Sequence, residues 1–231
     1  MRLVSSAEHV QPLASSAPLL PCSNPVIDVM NRQLLLGTRN PGKVKEITTI
    51  LEDSGWTFTS LAEFAAVGPA AEDHVTYAEN AIAKAQFYAA ATGLLALADD
   101  SGLEVEALGG APGVYSARYA GEGASDGDRR QLLLSELARS DGRDRRARFV
   151  AAVAIAGPDG AVLNVSEGIC EGTITFEPRG NSGFGYDPLF VPNGYDQTFA
   201  ELSDDVKNRI SHRARALMRL RDSLDHLEPD S

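Results

Sequence analysis

Apolar and polar positions follow two rhythms along this chain. From residue 33, "QLLLG" is a short apolar run suited to a strand buried on both faces. After a loop, Val44, Ile47, Ile50 and Leu51 recur at helical spacing, and Gly55 stands where a left-handed cap belongs. "TFTSL" reads as a second strand. "TYAENAIAKAQFYAAATG" predicts a helix opened by a Thr76-x-x-Glu79 box and closed at Gly93. "LLALA" is a buried strand ending at "DDSG". Residues 126 to 139 form another amphipathic helix, with Leu132, Leu133 and Leu137 inward. "RARFVAAVAIAGPDGAVLNVSEGICEGTITF" predicts long strands joined by the turn "PDG". From Ser203 onward the chain is helical, with Leu217, Leu220, Leu224 and Leu227 along one side. There is no internal repeat. Strand–helix alternation followed by a long hairpin predicts an α/β protein, a mixed sheet with flanking helices and two lobes around a cleft.

The first 29 residues fall outside this pattern. They are rich in Ser, Ala and Pro, lack a sustained period, and lack an apolar core of signal-peptide length. They read as a disordered leader or as no part of the working protein, and Met30 is a plausible start before a single domain, residues 30–231. The 231-residue chain carries a net charge of -11, which argues against a polynucleotide partner because such binders need broad basic surfaces. A small anion remains a fitting ligand where a few lysines cluster. Cys22 and Cys170 are too few for a disulfide framework or a thiolate zinc site, so a reduced cytoplasmic protein is expected. No run approaches the ~18 apolar residues of a membrane span.

Four segments carry candidate chemistry. In "GTRNPGKV", Gly37, Gly42 and Lys43 match the first seven places of the phosphate-binding pattern G-x-x-x-x-G-K-[ST], but Val44 replaces the hydroxyl that holds magnesium. A strand, turn and helix there would point backbone N–H groups at an anion, with Thr38, Arg39, Asn40 and Lys43 adding donors. Pro41 holds Asn40 extended, unlike a wrapped Walker loop. In "ALADDSG", Asp99 and Asp100 follow an apolar run, at the strand end where open α/β sheets hold ligands. Adjacent carboxylates there call for a cation, and magnesium takes one or two carboxylates plus substrate phosphates. Glu72 and Asp73 alone look like a solvated loop, and Lys84 like a surface helix lysine. "GNSGFGYDPLFVP" interleaves glycines with Phe184, Tyr186 and Asp187, either as a nucleobase platform or as a packed loop. In "SDDVKNRISHRARAL", Ser211 can cap a helix that starts with His212 and Arg213.

Together these segments resemble the inosine triphosphate pyrophosphatase family. The resemblance rests on "TRNPGKVKEI", "TYAENAIAKA", "ADDSGLEVEALGGAPGVYSARYAG", "GFGYDPLF" and "TFAELSDDVKNRISHR", in family order over residues 33 to 226. It implies magnesium-dependent hydrolysis of inosine, deoxyinosine or xanthosine triphosphate to the monophosphate and pyrophosphate. It also implies an elongated two-lobed fold with a central substrate cleft, as a homodimer. By the same resemblance, Thr38, Arg39, Asn40, Pro41, Gly42 and Lys43 form the triphosphate loop, and Asp100 is the metal residue and proton acceptor. Ser101 contacts substrate, Glu72 joins Asp100 and Asp99 at the metal, and Lys84 turns inward to a phosphate. Phe184, Gly185, Tyr186 and Asp187 hold the base, Lys207 reaches the substrate, and His212 with Arg213 reads the purine edge. Two rivals remain: a pyrophosphatase for other modified nucleotides, pyrimidines included, and a nucleotide sensor without turnover.

Overall fold

The computed structural model describes residues 32–140, 143–224 and 226–227, so the expected leader lies outside the described residues. Its strands are β1 (Gln33–Leu36), β2 (Thr57–Ser60), β3 (Leu95–Val105), β4 (Arg146–Ala156), β5 (Val162–Ile174) and β6 (Phe190–Pro192). Its α-helices are α1 (Pro41–Ile50), α2 (Tyr77–Thr92), α3 (Asp126–Arg139), α4 (Asp204–Ile210) and α5 (His212–Leu224). The strands form one sheet in the order β2-β1-β3-β4-β5-β6. β1 lies parallel to β2 and β3, while β4, β5 and β6 add antiparallel. The expected mixed α/β sheet with flanking helices is what forms.

Strand alternation explains the layers. Leu34, Leu36, Leu97, Val153 and Ile155 pack with α1 and α5 on one face. Leu35, Ala96, Ala98, Ala152 and Ala154 pack with Ala81, Ala85 and Ala89 of α2 on the other. Both faces are covered, which is why β1 reads as an unbroken apolar run. The Ala-rich face of α2 lets it sit close to the small residues of β3 and β4. Its Thr76 Oγ1 accepts the Glu79 N–H at 3.2 Å, and Gly93 ends it with φ of 72°, both as the pattern predicts.

Three expectations shift. β3 does not end at "DDSG" but runs on to Val105, pairing Asp99 with Val153 and Asp100 with Ala152. It is β1 that stops, at Leu36 opposite Leu97, so the aspartates lie just past the end of the parallel partner. The C-terminal helical stretch is broken at Ser211, whose extended backbone separates α4 from α5. In α3, Leu133 and Leu137 are buried as expected, but Leu134 rather than Leu132 packs beside them.

A third core fills the far half of the long strands, from Leu103, Val105, Phe149 and Cys170 to Phe190, Phe199 and α3. β3 passes from the first cores at Leu97 and Ala98 to this one at Leu103. Asp99, Asp100 and Ser101 occupy the junction, the one stretch of β3 where polar side chains interrupt the apolar filling. The expected cleft lies there.

Candidate active site

The first wall of the cleft is the turn from β1 into α1. Gly37 must be glycine, because a Cβ there would lie 2.9 Å from the Tyr88 ring and 3.1 Å from Ala98 Cβ. Asn40 caps α1, its Oδ1 accepting the N–H groups of Gly42 at 2.9 Å and Lys43 at 3.2 Å. Thr38 Oγ1 accepts the Asn40 N–H at 3.2 Å. The expectation that these N–H groups face an anion is therefore corrected: the Asn40 side chain takes two of them. Arg39 is likewise engaged, donating to Val67 O and tying down the loop before α2. Lys43 projects inward and meets Asp99 Oδ2 at 3.0 Å. Burial lowers its pKa, against the opposing pull of Asp99.

Because successive β3 residues point to opposite faces, Asp99 and Asp100 serve different surroundings. Asp100 faces α2, where Asn80 Nδ2 donates to its Oδ2 at 3.1 Å and Lys84 Nζ stands 3.7 Å from Oδ1. Lys84 also reaches Glu72 Oε1 at 2.8 Å. It is buried rather than at the surface, held charged by Asp99, Asp100 and Glu72 against the cost of burial. Burial raises the Asp100 carboxyl above its ordinary value, countered by Lys84 and Lys43. Asp99 faces α5. Burial opposes its charge, yet Lys43 and Arg213 hold its carboxyl far below the usual range. Of the expected metal set, Asp99 turns toward α5, whereas Glu72 and Asp100 share one side of the cleft through Lys84, and among the described residues no three acidic, histidine or cysteine side chains gather as one cluster. Two carboxylates on one wall are a set that suits magnesium, which takes one or two carboxylates together with phosphate and water oxygens.

The loop that begins at Gly180 folds around three left-handed glycines, Gly180, Gly183 and Gly185, with φ of 82°, 74° and 59°. Asp187 Oδ2 accepts the Phe184 N–H at 2.9 Å and Lys207 Nζ at 2.5 Å. Phe184 is half-buried: a Cβ on Gly42 would come within 2.6 Å of its ring, and Lys207 Nζ lies 4.9 Å from the ring centroid. Of the two readings left open for this segment, Tyr186 follows the packed one: it is buried, its hydroxyl donating to Ser116 O at 3.1 Å. It anchors the loop.

α5 supplies the last wall. Ser211 Oγ accepts the Ala214 N–H at 3.2 Å, capping the helix as predicted. A Cβ on Gly168 of β5 would fall 2.1 Å from His212 O, so that glycine lets the start of α5 approach the sheet. His212 stacks on Phe149 with centroids 4.6 Å apart and planes within 10°. Burial, reinforced by Arg213 and Lys207, pushes its pKa well below the ordinary value, leaving a neutral ring whose buried Nδ1 has no protein partner. Arg213 is buried too, and donates to Asp99 from Nε at 3.1 Å and Nη2 at 3.0 Å, to Ser101 Oγ at 3.0 Å, and to Glu46. Four of its five N–H donors are spent on the protein.

Glu46, which the sequence reading passed over, completes the arrangement. It lies one helical turn after Lys43 on α1, and that spacing was the available signal. Its other oxygen receives Lys207 Nζ at 2.7 Å. The result is an unbroken chain of alternating charge: Lys43, Asp99, Arg213, Glu46, Lys207, Asp187. It links the loop at one end of the cleft to the loop at the other.

The cleft wall thus gathers Asn40, Lys43, Glu72, Asp100, Ser101, Phe184, Gly185, Asp187, Lys207, His212 and Arg213. Thr38, Arg39, Pro41 and Gly42 lie off that wall, and Lys84 and Asp99 are buried behind it. Larger hollows exist, one of about 750 Å³ beside β3 and β4, but its Glu104–Arg148 and Glu106–Arg146 pairs are exposed and already matched. Convergent buried charge, not room, marks the site.

The chain resembles known proteins along nearly the whole described body. A model of the Ham1 family matches residues 34–223. A dITP/XTP pyrophosphatase of Desulfotalea psychrophila is 52% identical over 188 residues, covering 81% of this chain and 83% of that protein. Its counterpart in Bacillus subtilis is 47% identical, covering 83% and 96%. The solved HAM1 protein of Coxiella burnetii superposes with a TM-score of 0.77 at 42% identity, covering 84% of this chain and 99% of that one.

Proposed function

The chain belongs to the Ham1 family, and from that premise we propose that its cleft hydrolyses non-standard purine nucleoside triphosphates, those of inosine, deoxyinosine and xanthosine, to the monophosphate and pyrophosphate. This removes them from the nucleotide pool. The observation that carries the reading is the pairing of the buried Lys84 and the half-buried Lys43 with three carboxylates, Asp99, Asp100 and Glu72, at one end of a cleft whose other end offers a phenyl ring and a neutral imidazole.

Water attacks the phosphorus next to the nucleoside, and the bond to the bridging oxygen breaks as pyrophosphate leaves. Lys43 and Lys84 balance charge on the reacting oxygens. Asp100 Oδ1 takes the proton of the attacking water, while Asn80 holds Oδ2 and so fixes the direction in which Oδ1 points. Glu72 and Asp100 would hold magnesium, which when bound neutralises charge on phosphate oxygens. Phe184 stacks the base, and His212 meets its edge. The protein acts in the cytoplasm, and no helix among the described residues is long and apolar enough to cross a membrane. It works as a homodimer, which the exposed Leu163, Val165 and Ile169 on the outer face of β5 support.

The test is pyrophosphate release from inosine, xanthosine, adenosine and guanosine triphosphates, with magnesium and with a chelator. Turnover of the first two at least about tenfold faster than the others, lost on chelation, is expected. Equal rates on all four, or none on any, would overturn the reading.

A further inference from the structure

The loop that carries Phe184 is held by α3, whose Asp126 and Arg129 stand on the same cleft wall beside Phe184 and Gly185. Asp126 Oδ2 accepts the Gly185 N–H at 2.7 Å, and Arg130 Nη1 donates to Gly185 O at 2.7 Å. The same residue's peptide groups are therefore gripped on both sides. Arg129 braces the grip: it pairs with Asp126 and donates to Ala117 O at 2.9 Å and Ala124 O at 2.7 Å. The brace fixes Asp126 to the backbone of the segment that opens the far half of the cleft.

Such a grip has a physical purpose. Gly183 and Gly185 both occupy left-handed backbone, and two glycines flanking Phe184 give that residue more freedom than any other part of the loop. Asp187 restrains the Phe184 N–H from within the loop. Asp187 also donates its N–H to Phe184 O at 3.1 Å, whereas among the described residues the N–H and C=O of Gly185 find their partners on α3. The Asp126 carboxyl is kept below its ordinary value: burial opposes the charge, and the Gly185 N–H and Arg129 overcome it. The helix opens with Ser125, whose Oγ accepts the Asp128 N–H at 3.2 Å, so Asp126 is not consumed as the cap and is free to reach the loop.

We propose that Asp126 and Arg130 are positioning residues for base selection, fixing the Phe184 ring through the two peptide groups of Gly185. The inference rests on the functional reading above. It assigns selectivity partly to the way α3 holds the loop.

The experiment compares the parent with Asp126→Ala, Asp126→Asn and Arg130→Ala. Three quantities are measured: kcat and KM for inosine and adenosine triphosphates, inhibition by inorganic triphosphate, and hydrogen exchange of the 180–190 segment. In Asp126→Ala the KM for inosine triphosphate should rise about tenfold with kcat within about threefold, the energy of one charge-assisted hydrogen bond. The inosine-to-adenosine preference should narrow, and exchange in the loop should quicken. Inhibition by inorganic triphosphate, which has no base, should stay within about twofold of the parent. Asp126→Asn keeps an acceptor for the Gly185 N–H and should recover most of the loss, and Arg130→Ala should repeat it more weakly. Equal loss for both nucleotides with weakened triphosphate inhibition would mean a general structural role and overturn the proposal, as would no change at all. A parent inactive on every nucleotide would sink the functional reading instead, and unchanged loop exchange in Asp126→Ala would then sink the grip separately.

Discussion

At the scale of single residues, the two neighbouring aspartates divide the labour because the pleat sends them apart. Asp100→Asn keeps size and the bond to Asn80 but removes the charge that takes a proton. Turnover should fall at least about a hundredfold, with the thermal midpoint and circular dichroism unchanged; near-parental hydrolysis would remove Asp100 from the chemistry. Arg213→Ala should instead fail as a folded protein first. It leaves Asp99 and Glu46 short of a cation inside the core, costing about 3–5 kcal/mol in urea unfolding. The sequence suggested that Arg213 reads a purine edge, and a narrowed inosine-to-adenosine preference would still show it; the buried contacts make stability the larger effect. His212 gives a pH signature. Its folded pKa is depressed, so below about 6.5 the unfolded chain binds a proton that the native ring refuses, and stability falls as pH drops. Urea midpoints between pH 7 and 5 should fall less steeply in His212→Gln; parallel lines for the two proteins would contradict the neutral buried ring.

Elements place these residues by close approach as much as by hydrogen bonds. Gly168 is where α5 rests on β5, with Ala216 N 2.5 Å and His212 O 2.1 Å from a would-be Cβ. Gly168→Ala must push the helix outward, costing about 1–3 kcal/mol by overpacking and carrying His212 and Arg213 away from the cleft. Chemical denaturation and kcat/KM should both register it, and a variant of parental stability and rate would show that the helix has slack. Helix and strand identities were legible because apolar spacing dictates them, down to Thr76, Gly93 and Ser211. The reach of β3 was not. "DDSG" has the composition of a turn, and only the antiparallel partner β4, which continues past the end of β1, draws the strand onward. The role of Asn40 was hidden for a similar reason: a loop rich in donors does not reveal which donors its own side chains will occupy.

For the whole molecule, the hydrophobic clusters among the described residues run from 34 to 227. A chain beginning at Met30 should keep its melting temperature and turnover, since the sequence of residues 1–29 lacks the periodic apolar content that offsets the entropy of ordering. Calorimetry and pyrophosphate release on the two lengths decide it, and a loss in either would assign the leader a part in the body or the site. The division into two halves around a cleft was legible only in outline. Asp126 and Arg118, which grips Glu72 O at 2.9 Å, act across elements far apart in sequence, where no local spacing announces them.

The file of six alternating charges from Lys43 to Asp187 also constrains descent. Neutralising one interior member strands its neighbours, whereas exchanging Arg213 and Glu46 together for two apolar side chains leaves Lys43–Asp99 and Lys207–Asp187 matched. Substitution at the middle of this line is thus expected to proceed in twos, so that lineages which depart from it there differ by correlated replacements on α1 and α5 rather than by scattered single ones.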